Sequence, residues 1–185
     1  MERERLVQCP RLLHDSLRLW SQRRPDKVGL ICGKQRLTYQ QIDCLSDHIG
    51  CNLRNLGLLD RDRVGIFLDN SVEMVLSMYG VSKAGGTFVI LNGTLKAPRL
   101  SYILENSEPR FLIAHTAKAG VVKEALQRSR LPCTIIWVSP NGVIPGNWPW
   151  NMLAWKDLVK EPSPLSRRID QSETSERDLA CLVYT

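Results

Sequence analysis

No run of apolar residues in this 185-residue chain approaches the roughly 18 that a membrane-crossing helix needs. The opening MERERLVQCP is charged and has no apolar core, which argues against a secretory leader. Cysteine occurs six times (Cys9, Cys32, Cys44, Cys51, Cys133 and Cys181) but never in C-x-x-C spacing, so the expectation is a reduced, cytoplasmic chain. Neither G-x-G-x-x-G nor G-x-x-x-x-G-K-[ST] is present, which removes the main support for Rossmann and P-loop nucleotide sites. A serine nucleophile elbow is missing as well, and no segment repeats another.

What is present is ordinary for a globular domain: 43% hydrophobic and 24% charged residues, on a chain long enough to bury a core. The net charge of +6 is concentrated, since residues 1–36 hold nine Lys/Arg against four Asp/Glu. Those cations follow a helical pattern rather than forming a tract. A solvated face is therefore expected in preference to a phosphate-tracking surface, and no nucleic-acid partner is assigned.

Periodicity orders the chain. Leu13, Leu17 and Trp20 stand at helical spacing and Pro25 ends the run. VGLIC and RLTY flank Gly33-Lys34-Gln35 as a hairpin with a three-residue loop. Thr38 and Gln41 occupy capping-box positions ahead of a helix carrying Ile42, Leu45, Ile49, Asn52 or Leu53, and Leu56, with Gly57 suited to its C-cap. RVGIFL then reads as a buried strand. A helix follows with Asn70 as N-cap and Val72, Val75, Leu76 and Tyr79 as its stripe, and after Gly85-Gly86 comes the strand TFVIL. Strand, helix and strand with tight connections make a βαβ unit. The alternation continues through APRLSYILENS, RFLIA, KAGVVKEALQRS and CTIIWV. The expected fold class is α/β, a mostly parallel sheet flanked by helices. Residues 139–150 read as a loop, NMLAWKDLVK as a short helix and 161–178 as an exposed linker. The closing run Ala180–Tyr184 reads as a strand buried on both faces.

Residues able to do chemistry are few. Cys44, His48 and Cys51 share a helix face, but structural zinc needs four ligands and no fourth is near. A Cys44–Cys51 disulfide fails because seven helical residues separate them by about 10.5 Å. Packed thiols and a partly exposed imidazole are expected there. His14 and His115 are isolated and expected to be structural. Trp148, Trp150 and Trp155 lack interleaved cations, so loop anchoring is expected before base stacking. Spacing and composition alone yield no active site.

The order LTYQQID, DRVGIFLDN, SKAGGTFVILNGTLKAPRLSYIL resembles the N-terminal region of the AMP-forming adenylate-forming enzymes. These include acyl-CoA synthetases, peptide-synthetase adenylation domains and luciferases. The resemblance runs from about Leu12 to Thr185. It implies the first subdomain of the acetyl-CoA synthetase-like fold, incomplete, with residues 1–185 as the N-terminal part of an AMP-binding domain. In that family a strand similar to DLACLVYT leads into a phosphate loop of the form TSG-[ST]-TG-x-PKG, whose small residues admit backbone N–H groups to the phosphates. Thr185 matches the first residue of that loop. Ile90 and Gly93 depart from the family, which commonly has prolines there, and imply a less rigid loop.

The resemblance further implies ATP, Mg2+ and coenzyme A as cofactors and a carboxylic acid as substrate in the intact enzyme. The acid becomes an acyl-adenylate with release of pyrophosphate and is then passed to a thiol. The adenine and acyl pockets and the C-terminal lid with its catalytic lysine belong to later parts of the family's chain. The expectation is that these 185 residues alone do not catalyse the reaction. The alternatives are an interaction module completing a separately encoded remainder, or a remnant without activity. The segment SKAGGTFV leans towards acyl-CoA ligases over amino-acid-activating domains.

Overall fold

The computed structural model describes residues 10–162 and 175–184. Helix α1 (Leu13–Arg23), the hairpin β1 (Val28–Cys32) and β2 (Gln35–Thr38), and α2 (Tyr39–Asn55) come first. An alternating run follows: β3 (Arg63–Phe67), α3 (Val72–Lys83), β4 (Thr87–Ile90), α4 (Ala97–Ser107), β5 (Phe111–His115), a 3-10 turn at Thr116–Lys118, and α5 (Ala119–Ser129). It closes with β6 (Thr134–Val138), β7 (Met152–Ala154), α6 (Trp155–Val159) and β8 (Cys181–Val183).

Strands β3 to β8 form one parallel sheet in the order β7-β6-β5-β3-β4-β8. Residues alternate between its faces, as the period of a strand requires. Phe111, Ile113, Ile136 and Val138 join Ile42, Ile49, Leu53 and Leu76 of α2 and α3 in one apolar layer, with Leu17 of α1 and Leu158 of α6. Leu112, Ala114, Ile135 and Trp137 join Leu100, Leu104, Val122 and Leu126 of α4 and α5 in the other. The fold is thus the expected α/β architecture with helices on both faces.

Local chemistry explains the element starts. Thr38 Oγ1 accepts from the Gln41 N–H (3.2 Å) while Gln41 Oε1 accepts from the Thr38 N–H (2.9 Å), the reciprocal box read from the sequence. Helix α3 begins one residue later than expected: Ser71, not Asn70, is the N-cap, its hydroxyl accepting from the Met74 N–H at 3.2 Å. The hairpin loop is two residues, Gly33-Lys34, because Gln35 already pairs with Cys32 and Gly33 supplies a φ of 56°. Residues 152–154, read as helical, are an edge strand whose pairing with β6 overrides a weak helical pattern.

Strand β8 departs most from expectation. Among the described residues it lies at the sheet margin, paired with β4 alone, and is not covered on both faces. Leu182 and Tyr184 pack on the α4–α5 layer, whereas Cys181 is exposed and Val183 is 66% accessible. An apolar run identifies a strand but not its place in the sheet. Thr87 Oγ1 donates to Leu179 O (2.7 Å), and Arg61 pairs with Asp178 at 2.8 Å; together they dock its amino end. Of the linker expected over 161–178, residues 163–174 lie outside the described residues; Glu161 and 175–177 are exposed.

Helix α1 buries Leu17 as its spacing suggests, but its other inward residue is His14, not Leu13 or Trp20. His14 is buried, whereas Leu13 and Trp20 are 39% and 42% accessible. His14 Nδ1 lies 3.0 Å from Ser82 Oγ of α3, so a hydrogen bond sets the helix rotation. Burial, and then the Arg18 guanidinium, push the His14 imidazole below its ordinary value of 6.5. The unfolded chain therefore takes up this proton first as pH falls through 6.5, so stability drops on acidification until the folded pKa is passed. Urea denaturation at stepped pH will show that loss in the wild type, and His14→Gln will flatten it.

Candidate functional site

In open parallel sheets, ligands bind beyond the carboxyl ends of the strands, where successive connections leave in opposite directions. That point lies between β3 and β5. The chain leaving β3 crosses to β4 on one side, and the chain leaving β5 crosses to β6 on the other. The register places the exits side by side: Phe67 pairs with Ala114, Ile66 with Ile90, and Ile90 with Val183. The segments leaving β3 (Leu68-Asp69-Asn70), β4 (Leu91-Asn92-Gly93) and β8 (Tyr184) therefore line one rim.

Lys118, at the end of the 3-10 turn after β5, reaches across this rim. Its Nζ donates to Asp69 Oδ1 (2.7 Å) and to Gly93 O (3.0 Å), and lies 4.9 Å from the centre of the Phe67 ring. Asn92 Oδ1 accepts from both the N–H and the hydroxyl of Thr94, each at 2.9 Å, which folds the β4 exit into a tight turn. His115 caps the 3-10 turn, its Nδ1 accepting from the Ala117 N–H at 3.1 Å. Tyr184 donates from its hydroxyl to Asn106 Oδ1 of α4 (2.7 Å), which orients the end of β8. Thr185 itself lies outside the described residues.

The other candidates fall away from this rim. Cys44 Sγ is 3.6 Å from His48 Nε2, and His48 Nδ1 meets Val159 O at 3.1 Å, the arrangement of a thiol beside a fixed base. Yet burial and then the Asp47 carboxylate raise the Cys44 thiol above its ordinary value, opposite to what a nucleophile requires. Cys133 is pushed up to about 12 by burial. Among the described residues, no group of three His, Cys, Asp or Glu side chains is placed to hold a metal. Trp148 stands edge-on to Trp137 (5.4 Å) and to Trp150 (6.0 Å), anchoring the loop, while Trp155 packs in the opposite layer. They form no joint stacking platform.

Sequence reasoning missed Asp69, Asn92, Lys118 and Tyr184. DRVGIFLDN and HTAKAG showed only a strand end and a helix start; the pairing of Lys118 with Asp69 across 49 positions follows from strand order, which periodicity does not encode.

The profile of the AMP-binding enzyme family matches residues 17–185, nearly the whole chain. The chain belongs to the AMP-binding enzymes. Bacitracin synthase 3 of Bacillus licheniformis is 36% identical over 104 residues, covering 55% of this chain and 2% of its own length. A medium/long-chain-fatty-acid–CoA/3-oxocholest-4-en-26-oate–CoA ligase of Mycobacterium tuberculosis is 32% identical over 102 residues, covering 55% of this chain and 19% of the ligase. Among solved structures, an anthranilate CoA ligase in complex with anthranoyl-AMP is 28% identical with a TM-score of 0.64, over 70% of this chain and 25% of that one. A coronafacic acid ligase from Pectobacterium brasiliense matches in fold with a TM-score of 0.80 at 18% identity, over 94% of this chain and 33% of that one. The chain therefore spans a small part of these relatives, a third or less.

Proposed function

We propose that this chain forms the first part of an adenylate-forming acid–thiol ligase. The intact enzyme joins a carboxylic acid to AMP at the expense of ATP, releases pyrophosphate and passes the acyl group to a thiol such as that of coenzyme A. The match to the AMP-binding family over residues 17–185 carries the reading. The position of β8 supports it, since the end of that strand and the exits of β3 and β4 share one rim.

The described residues do not by themselves fit ATP or Mg2+. Lys118, the cation at the rim, is engaged by Asp69 and Gly93, and the described residues there include no glycine-rich cradle for phosphates. No step is therefore routed through these groups. What the chain contributes is position: a parallel sheet and a shaped loop rim at the end of β8, with Thr185 matched by sequence alone to the first residue of the family's phosphate loop. Such fixed placement is a large part of phosphoryl-type catalysis. The acyl-CoA ligase branch is favoured by the likeness to the anthranilate CoA ligase, the amino-acid-activating branch by the likeness to bacitracin synthase 3.

A chimera decides. Residues 1–184 joined to the remaining two thirds of the Pectobacterium ligase should release pyrophosphate from ATP only when a carboxylic acid is supplied. Turnover independent of any acid, or no pyrophosphate release from a folded chimera, would overturn the reading. A second reading, docking to a separately encoded remainder of the ligase, is favoured by β8, which has one neighbour and a 66% accessible Val183. It requires co-purification with a chain carrying the phosphate loop.

A further inference from the structure

We propose that Lys118, Asp69 and Gly93 act as one latch that fixes the β4 exit loop beside the end of β8, with Lys118 as its positioning residue. The functional consequence rests on the ligase reading; the latch itself does not. Three observations converge on it. The exits of three adjacent strands meet at a single nitrogen, since Lys118 follows β5 and donates to Asp69 after β3 and to the Gly93 carbonyl after β4. Lys118 is also largely withdrawn from water, its side chain 14% accessible and lying over the Phe67 ring, while Asp69 is 75% accessible. Lastly, the space that a side chain at 93 would occupy is already filled: a Cβ there would overlap both Asp69 Oδ1 and Lys118 Nζ. Glycine at 93 makes room for the ion pair, and the three residues form one unit.

An ion pair with one member in solvent adds little to global stability. What the arrangement does supply is geometry. Lys118 holds a backbone carbonyl, so the loop turning through Asn92–Thr94 is tied to the sheet from outside its own hydrogen bonds. Because Ile90 pairs with Val183, that loop begins beside the chain leaving β8. Rim loops that shift by about 1 Å can cost an enzyme a hundredfold in rate, so a latch here acts on placement rather than on folding.

Amide hydrogen exchange of the 185-residue chain, followed by NMR, tests the latch. The Thr94 and Leu95 amides, bonded to the Asn92 side chain and carbonyl, are the reporters. In Lys118→Met and Gly93→Ala these two should exchange about tenfold faster, with core amides and the urea midpoint nearly unchanged, and Lys118→Arg should restore protection. Unchanged exchange in Lys118→Met, acceleration spread over the whole chain, or no rescue by arginine would each overturn the latch. In the chimeric ligase, Lys118→Met should lower kcat/KM for ATP about tenfold, with arginine recovering most of it. An unaltered kcat/KM would reduce the latch to a structural feature. A wild-type chimera that is inactive while the loop amides respond as stated would overturn the ligase reading and leave the latch standing.

Discussion

Replacing Lys83 by alanine will lower the unfolding free energy by about 3–5 kcal/mol, the usual cost of breaking a buried ion pair by removing one partner. The Lys83 side chain is fully buried at the end of α3, and its Nζ meets Asp43 Oδ1 (2.5 Å), Asp43 O (2.8 Å) and Asp47 Oδ1 (2.9 Å) of α2. Truncation strands two carboxylates that are only 17% and 41% accessible, with Arg18 at 3.5 Å from Asp47 as the remaining counterion. Lys83→Met keeps the stem but not the charge and should recover little. Triple replacement with Asp43→Leu and Asp47→Leu should recover most of the loss, because no carboxylate is then stranded and the Arg18 guanidinium that loses Asp47 is 25% accessible. Urea titration monitored by circular dichroism measures all three. A loss under about 1 kcal/mol for Lys83→Ala would show that the cluster behaves as an exposed pair.

The second large effect lies where α2 and α3 cross. Ile49 is fully buried, and Gly80 faces it so closely that a Cβ on residue 80 would overlap Ile49 Cγ2 and stand 2.7 Å from Ile49 Cβ. Ile49→Ala should cost about 2–5 kcal/mol through lost contacts and the cavity left behind. Gly80→Ala should cost about 1–3 kcal/mol by overpacking, even though alanine favours helix. The two changes touch the same volume, so they must not add: Gly80→Ala introduced into Ile49→Ala should be neutral or stabilising. Additive losses in the double mutant would mean that the helices separate rather than interlock.

Much of this architecture was legible in the sequence. The box at Thr38 and Gln41, the stripe from Ile42 to Leu53 and the alternation of strand and helix each rest on contacts within a few residues, where period and capping chemistry act. What escaped depends on residues far apart. The order of the strands decides that β8 is marginal and that Val183 faces water, and no local pattern carries that order. No local pattern marks Lys83 as buried, because Asp43 and Asp47 sit on another helix, Asp43 40 residues earlier. The rim followed the same rule: Lys118, Asp69 and Gly93 meet only after three strands are placed side by side. Resemblance identified the family where spacing could not.

Under the proposed ligase reading, these residues supply one edge of an adenylating site and not the whole of it. Exchange of labelled pyrophosphate into ATP, measured on the purified 185-residue chain with a panel of carboxylic acids, tests this most directly. The predicted result is exchange indistinguishable from the protein-free background for every acid. Acid-dependent exchange by the chain alone would contradict it.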